Sequence, residues 1–338
     1  MSHTTPAKTT LAIVIFAFLA FMLSSLAVAQ TAPAAPIQTG NDPNYGGGRN
    51  SFAGPSLIKY VAGRDSDDRR IDMFIGDWRE SMPRHADGSL VLRDILTKGD
   101  NLGPTQKAAI LQYTNFLAHA ILAARASTTP SRLNNQQEVY YILGGAGKLT
   151  AGGAVADLHK GVAVLMPPNL EFTMRNTGDQ PLTMYVINEP TTRPGFRPND
   201  KMLVIDEKDA HVRTPSGPDP YIVPGASGHW GHVVRELFAP RDGLANLRSV
   251  LTVELKPLSL GEPHPHRPGA EEIWTSVEGD SLAWMSAELR LQHPGMAYMI
   301  RPDTTSTHTN INFGDTTIKF LYSVSSPPPE RPAVVAPR

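Results

Sequence analysis

Cysteine is absent from the 338 residues of the sequence, and charged side chains are scarce. Without cysteine the chain has no disulfides, no thiolate metal ligands, no cysteine nucleophile and no cysteine-linked lipid. Charged residues make up 19% of the sequence, and the net charge is -1. Such a balance provides no electrostatic attraction to nucleic acid or to an anionic membrane, so neither is an expected partner.

Several catalytic signatures are also missing from the sequence. It contains no glycine-rich loop placed after a strand to hold phosphate, no Gly-x-Ser-x-Gly and no His-Glu-x-x-His. These absences argue against a nucleotide-dependent enzyme, a serine hydrolase and a helical zinc protease. Glycine and proline are plentiful, at 28 and 30 residues, and indicate many turns and short strands rather than a helical bundle.

The N-terminus has the pattern of an export signal. Lys8 precedes the apolar run Leu11–Leu23, and a stretch of small residues ends at Ala29, before Gln30. The pattern predicts a signal peptide that is cleaved near Ala29, and a secreted or periplasmic mature protein without membrane contact. The alternative is a retained membrane anchor over Leu11–Ala29, because about 20 apolar residues span a bilayer.

The central part of the chain has the hydrophobic pattern of β-strands. In "VLTVELKPL", Leu251, Val253 and Leu255 alternate with polar residues, which is the period of a half-buried strand. "LTMYVIN" and "TIKFLYSV" are rich in the β-branched and aromatic residues that favour strands. The apolar spacing over Thr105–Ala124 predicts either a helix or a helix followed by a strand. The chain is therefore predicted to be mainly β.

An internal repeat appears at an offset of 134 residues. "QEVYYILGGAG" (137–147) aligns with "EEIWTSVEGDS" (271–281). The aligned pairs are Glu138 with Glu272, Gly145 with Gly279, Gly161 with Gly295, Pro168 with Pro302 and, after a two-residue insertion, Asn176 with Asn312. The repeat predicts two homologous β domains. The predicted segments are a signal peptide at 1–29, an irregular Pro/Gly-rich leader at 30–68, the β domains at 69–218 and 219–326, and a disordered Pro-rich tail at 327–338.

The stretch "GEPHPHRPGAEEIWTSVEG" (261–279) contains candidate metal ligands. His264 and His266 are two residues apart, so on a strand their side chains lie on the same face. Glu272 follows a Pro-Gly turn, and His308 comes 36 residues after it. Three imidazoles and a carboxylate would bind a divalent transition metal. This ligand set does not distinguish among Mn, Fe, Ni, Cu and Zn. The alternative is that these are polar turn residues without metal.

These residues resemble the two sequence blocks of the cupin superfamily. The first block runs Gly, five residues, His-x-His, three or four residues, Glu, six residues, Gly; the second runs Gly, five residues, Pro-x-Gly-x-x-His-x-x-x-Asn. Glu272 and Gly279 match the end of the first block, and Gly295, Pro302, His308 and Asn312 match the second. The departures are a shortened spacing from Gly261 to His264 and one extra residue at each of three places: before Glu272, between Gly295 and Pro302, and between Pro302 and His308.

The resemblance covers nearly all of residues 115–325 and implies an all-β bicupin, with two tandem jelly-roll β-barrels. It implies a metal site in the second barrel, formed by His264, His266, Glu272 and His308. Glu271 is an alternative carboxylate ligand, but Glu272 keeps the six-residue spacing to Gly279. In the first copy Pro130, Arg132 and Phe172 replace the histidines, so that barrel is predicted to be metal-free. Arg132 and Glu138 are predicted to form an ion pair there or to bind a small polar ligand.

Other residues are candidates for lining a substrate pocket beside the metal. Trp274 and Ser276 share a strand face with Glu272, and Asn312 shares one with His308. Tyr298 is a further candidate. Like Phe320 and Tyr322, it lies on a strand that is expected to flank the barrel.

Two functions follow from this interpretation. The first is a metal-dependent enzyme on a small organic molecule, dioxygenase-like, with decarboxylase, isomerase and lyase chemistry as the other reactions that the resemblance implies. The second is a cupin that binds a metal or a small ligand without turnover. The sequence leaves the metal, the substrate and the choice between a monomer and a homo-oligomer open.

Overall fold

The computed structural model describes residues 71–213 and 231–325, apart from Glu262 and Arg267. The predicted signal peptide, the whole of the predicted leader and the predicted tail lie outside these residues. No helix among the described residues is long and apolar enough to cross a membrane.

The described residues form 23 β-strands and several short 3-10 turns, which confirms the all-β fold class. The first barrel consists of an eight-stranded and a four-stranded sheet. Its strands are β2 (Pro83–Ala86), β3 (Leu90–Lys98), β4 (Ala109–Leu111), β5 (Phe116–Leu122), β6 (Ser131–Arg132), β7 (Gln136–Gly144), β8 (Gly147–Ala151), β9 (Ala154–Leu158), β10 (Val162–Met166), β11 (Glu171–Asn176), β12 (Leu182–Pro190) and β13 (Leu203–Asp206). The large sheet has the order β13-β10-β7-β12-β5-β3-β2, with β4 beside β3, and the small sheet has the order β6-β11-β8-β9.

The second barrel consists of a seven-stranded and a four-stranded sheet. Its strands are β1 (Ile75–Asp77), β14 (His211–Arg213), β15 (His232–Phe238), β16 (Leu247–Leu255), β17 (His264–Pro265), β18 (Glu271–Glu278), β19 (Ser281–Met285), β20 (Glu288–Gln292), β21 (Met296–Met299), β22 (Thr307–Ile311) and β23 (Ile318–Ser325). The large sheet has the order β1-β21-β18-β23-β16-β15-β14, and the small sheet has the order β17-β22-β19-β20.

The large sheet of the first barrel is buried on both faces. Along β7, Tyr140 and Ile142 point into the core of the first barrel. Val139 and Tyr141 alternate with them and belong to a second core cluster, which also contains residues of the second barrel such as Ile273. Both faces of these strands are therefore apolar, as expected for a sheet that is covered on each side.

Burial on both faces explains why Thr105–Ala124 contains no helix, although the sequence predicted either a helix or a helix followed by a strand. This stretch forms β4 and β5, which contribute to the large sheet of the first barrel. Leu117 packs in the core shared with the second barrel, whereas Ala118 and Ala120 pack inside the first barrel. A strand with apolar residues on both faces lacks period-two alternation, so its pattern is easily mistaken for that of a helix.

Strand pairing assigns two short segments to the second barrel although they precede residue 219. Strand β1 pairs with β21, with Ile75 opposite Tyr298. Strand β14 pairs with β15, with His211 opposite Glu236. The chain therefore begins its described part in the sheet of the second barrel before it forms the first.

The internal repeat is visible in matching local structures. Asn176 donates its side-chain amide to the carbonyl oxygens of Leu122, Ala123 and Gln180. Asn312 does the same to Leu255, Lys256 and Thr316. The aligned Gly145 and Gly279 have φ of 87° and 75°, a left-handed conformation that favours glycine.

Candidate metal centre

Three strands bring the predicted ligands together inside the second barrel. His264 on β17 lies directly opposite His308 on β22 in the small sheet, and His266 follows β17. Glu272 is contributed by β18 of the large sheet. The three imidazole ring centroids are 4.9 to 5.1 Å apart, which makes an almost equilateral triangle.

The donor atoms of these four residues all lie within 4.8 Å of one another. The Nε2 atoms of His266 and His308 are 2.8 Å apart. Glu272 Oε1 lies 3.4 Å from Nε2 of His266 and 3.3 Å from Nε2 of His308. The structure thus brings together the ligand set expected from the sequence.

The spacing of the donor atoms fits a transition metal. Metal–nitrogen and metal–oxygen bonds are about 2.1 Å long, so ligands at right angles are about 3.0 Å apart and tetrahedral ligands about 3.4 Å apart. The three separations among the donor atoms of His266, Glu272 and His308 lie close to this range. Three imidazoles and one carboxylate suit a divalent transition metal, and the cluster is a candidate site for one.

Glu272 is a buried carboxylate that its neighbours keep ionised. Trp274 Nε1 donates to Oε1 at 2.8 Å, and the Tyr322 hydroxyl donates to Oε2 at 2.8 Å. Burial alone would raise the pKa of Glu272, but the hydrogen bonds of His266 and His308 to this carboxylate hold the pKa well below its usual value. An ionised carboxylate is the form that binds a cation.

His308 is kept neutral and is oriented by a tyrosine. Burial lowers the pKa of the His308 imidazole, and the carboxylate of Glu272 opposes this only in part. The hydroxyl of Tyr298 lies 2.9 Å from His308 Nδ1 and donates to Asn310 Oδ1 at 3.2 Å. With Nδ1 facing Tyr298, Nε2 is the nitrogen that faces the other ligands. Burial and the charge of Glu272 raise the pKa of Tyr298 well above its ordinary value, so its hydroxyl stays protonated.

Glu271 has a different environment from Glu272. Its carboxylate is fully buried and accepts hydrogen bonds from the backbone amides of residues 112–114 and from the Thr114 hydroxyl. These groups belong to the segment between β4 and β5, on the other side of the sheet. The structure therefore favours Glu272 over Glu271 as the carboxylate ligand.

The four predicted pocket residues fall into two groups. Trp274 and Tyr298 are buried next to the ligands and hydrogen-bond to Glu272 and His308. Ser276 and Asn312 are also buried, but their side chains bond to backbone atoms, with Ser276 donating to Gly279 and Asn312 to three carbonyls. Of the four, Trp274 and Tyr298 hydrogen-bond to the donor cluster, and the substrate pocket itself stays a prediction.

The sequence placed Asn310 on the strand face of His308 and Tyr322 on a strand flanking the barrel, but it did not give their hydrogen-bond partners. Tyr322 donates directly to Glu272, and Asn310 bonds to the tyrosine behind His308. The contact of Tyr322 with Glu272 could have been predicted from its position opposite Trp274 on the neighbouring strand. Strand register follows from the folded sheet, so it is not read from the sequence alone.

In the first barrel the equivalent pocket is filled by side chains. Tyr140 donates to Glu138 at 2.5 Å, which repeats the bond from Trp274 to Glu272 in the second barrel. Asn188 also donates to Glu138, and Phe172 packs against the ring of Tyr140. Burial raises the pKa of Glu138, although these two hydrogen bonds lower it in part.

The predicted ion pair between Arg132 and Glu138 is wrong. Arg132 is exposed and pairs with Glu171 at 3.1 Å. The long Arg132 side chain reaches solvent from the edge strand β6, where its charge stays hydrated.

Comparisons with known proteins agree with this architecture. Residues 118–188 match the family model described as cupin domain. A Pseudomonas aeruginosa protein described as glyoxylate-induced superposes with a TM-score of 0.58 and 14% identity, over 78% of this chain and 90% of its own. A Bacillus subtilis oxalate decarboxylase variant gives 0.50 and 14%, over 75% and 77%. The 7S globulin of Momordica charantia gives 0.54 and 11%, over 76% and 85%. A search of curated protein sequences finds no match to this chain.

Proposed function

We propose that the protein is an exported, metal-dependent enzyme. The enzyme part of the proposal starts from the match of residues 118–188 to a cupin domain and from the jelly-roll barrels of the cupin type in both halves of the chain. Its proposed reaction is dioxygenase-like and acts on a small organic substrate at the centre formed by His264, His266, Glu272 and His308. The convergence of these four donor groups carries the proposal. At least one further position on a six-coordinate metal would accept substrate.

A bound metal ion would supply Lewis-acid or redox chemistry at this site. The protein's own side chains hold the ligands in place. Trp274 and Tyr322 fix the two oxygens of Glu272, and Tyr298 fixes His308. The buried rings of Trp274 and Phe320 pack edge to face at 5.4 Å, and the Trp274 ring lies 6.4 Å from that of His308.

The first test is metal content followed by turnover. Elemental analysis of the natively purified protein should give one transition metal per chain, and oxygen uptake should follow addition of a substrate from a panel of phenolics and organic acids. Oxalate and glyoxylate belong in the panel because two proteins of similar fold are described by them. His308→Ala should abolish both metal binding and turnover. His293→Ala is the matched control, since this histidine is exposed and pairs with Asp280. Turnover that survives His308→Ala would place the chemistry elsewhere.

A second function is supported by the composition of the cluster. Within the described residues, the group that converges on this point contains three histidines and one glutamate, all of them assigned as ligands. No further carboxylate or imidazole of that group is left to act as a general acid or base. A non-catalytic cupin that holds a metal or a small ligand fits this observation. One bound metal without turnover across the panel would favour it.

Export is a separate part of the proposal, and the N-terminal sequence pattern supports it. Determining the N-terminus of the mature protein tests it directly. A mature chain that begins at Gln30 is the expected result, and a retained N-terminus would favour the membrane anchor.

A further inference from the structure

A cleft of about 240 Å³ lies between the two barrels, away from the metal centre. Its lining includes Tyr185, His119 and Lys160 of the first barrel, Val277 and Glu278 of the second, and Trp78 and Arg79 of a 3-10 turn. Val277 is five residues beyond Glu272 on the same strand, which is about 17 Å at the rise of a β-strand. The cleft is therefore distinct from the metal-binding pocket.

His119 is the unusual residue of this cleft. It is only 8% exposed, and its Nδ1 has no hydrogen-bond partner within the described part of the chain. Its ring stacks on Trp78 at 4.6 Å and meets the edge of Tyr185 at 6.1 Å. Nδ1 is enclosed by protein atoms, so a ligand in the cleft would reach the other ring nitrogen, Nε2, and accept a hydrogen bond from it.

The charges around His119 favour an anion. The guanidinium groups of Arg79 and Arg93 lie 4.9 and 5.9 Å from the centre of the Trp78 ring. Burial and these two positive charges lower the pKa of His119 to about 4, so the imidazole is neutral at physiological pH. Neutral imidazole carries one N–H that can donate to an anion.

Two carboxylates partly offset this positive charge. Asp77 pairs with Arg79 at 3.0 Å, and Glu278 pairs with Lys160 at 2.8 Å. Arg93 lies beside Trp78 rather than in the lining, and with it three cations surround two carboxylates, which leaves the region positive. The remaining walls are aromatic or aliphatic.

We infer that this cleft binds a small organic carboxylate, whose apolar body lies against Trp78 and Tyr185 and whose carboxylate accepts a hydrogen bond from His119 beside Arg79. The ring faces provide the apolar contact, and the excess positive charge selects an anion over a neutral molecule of the same shape.

Calorimetric titration of the full-length protein with benzoate tests this proposal, with benzamide as the neutral analogue. Benzoate should bind saturably, and benzamide should bind about tenfold more weakly or worse. Arg79→Gln should weaken benzoate binding by a similar factor. Arg132→Gln is the matched control because Arg132 is comparably exposed and also pairs with a carboxylate. His119→Phe keeps the ring stack, removes the nitrogen and should weaken benzoate binding as well.

The metal-site variant His308→Ala separates the two sites. It should retain benzoate binding, whereas a loss would assign the ligand to the metal centre and overturn the proposal. Equal binding of benzoate and benzamide, an unaffected Arg79→Gln variant, or no benzoate binding at millimolar concentration would also overturn it.

Discussion

Tyr298 shows how a single hydroxyl determines which nitrogen of a histidine serves as a ligand. It lies between His308 Nδ1 and Asn310 Oδ1. If Nδ1 of His308 carries the proton, it donates to the Tyr298 oxygen, whose own proton is donated to Asn310. Nε2 of His308 then presents its lone pair to the other ligands.

Tyr298→Phe should weaken metal binding about 10- to 100-fold, because it removes the partner that orients His308. Competition with a chromophoric chelator measures the change. Tyr141→Phe is the control, since Tyr141 is equally buried but its hydroxyl donates to Glu207. Wild-type metal affinity in Tyr298→Phe would show that the hydroxyl does not orient the ligand.

His119 should make the protein sensitive to acid. Burial and the charges of Arg79 and Arg93 lower its pKa from 6.5 to about 4 in the folded state. Between these values the unfolded chain binds the proton and the folded protein does not. The free energy of unfolding should therefore fall as the pH is lowered from 6.5 to 4, by up to about 3 kcal/mol.

Urea denaturation at a series of pH values measures this contribution. The difference in unfolding free energy between the wild type and His119→Phe should depend on pH only within that window. A constant difference from pH 7 to 4 would mean that His119 does not carry a shifted pKa.

At the scale of the element, β18 has two functions on its two faces. Glu272 points toward the donor cluster, whereas Glu271 binds backbone amides of the segment between β4 and β5. The first barrel contains a related arrangement. Glu189 on β12 accepts from the amides of residues 245–247 and pairs across the strands with Gln137. Each barrel thus uses one buried carboxylate to hold a loop of the other.

Substitution of the two neighbouring glutamates should separate these functions. Glu271→Gln should destabilise the protein by about 3 kcal/mol, because a neutral oxygen binds the backbone amides less strongly than a carboxylate. It should leave one metal per chain. Glu272→Gln should mainly reduce metal binding. Chemical denaturation and elemental analysis of both variants provide the measurements, and a loss of metal only in Glu271→Gln would reverse our assignment.

The repeat made much of this architecture predictable from the sequence. His264, His266, Glu272 and His308 follow a linear spacing, and Glu138 and Asn176 have counterparts at a fixed offset. Over Thr105–Ala124 only the strand of the predicted helix-then-strand alternative is present, and the helix was wrong because a strand buried on both faces has no period-two signal. The bond from Tyr322 to Glu272 depends on the register between strands that are distant in sequence. The exposure of the Arg132 side chain to solvent depends on its place at a sheet edge. Both are tertiary properties.

At the scale of the whole molecule, the two barrels are joined through a shared core. One apolar cluster contains Tyr141 and Tyr185 of the first barrel together with Ile273 and Leu321 of the second. The interior of the first barrel forms its own cluster around Tyr140 and lies apart from the metal ligands.

Metal removal should therefore lower stability without unfolding the chain. A ligand that binds only the folded state raises the unfolding free energy by an amount set by its concentration relative to its Kd. Chelation should reduce the thermal midpoint, while hydrogen exchange at Tyr140 and Met184 stays slow. Rapid exchange at these residues after chelation would show that the first barrel depends on the metal.

Strand β1 is connected to the candidate metal centre through the strand that carries Tyr298. Ile75 pairs with Tyr298, and the hydroxyl of Tyr298 contacts His308. The 3-10 turn that follows β1 places Trp78 against Gly295. A Cβ added to Gly295 would come within 2.4 Å of the indole nitrogen. An N-terminal strand thus supports the sheet that positions a ligand more than two hundred residues later in the chain.

A truncation that starts at Ser81 removes β1 and Trp78 and should weaken metal binding, because β21 then becomes an edge strand and Tyr298 loses its pairing partner. A truncation that starts at Arg70 retains β1 and serves as the control. Metal affinity by chelator competition and hydrogen exchange at Tyr298 are the measurements. The expected result is faster exchange and weaker binding in the shorter chain only. Equal metal affinity in both chains would mean that β1 stabilises the sheet without influencing the ligands.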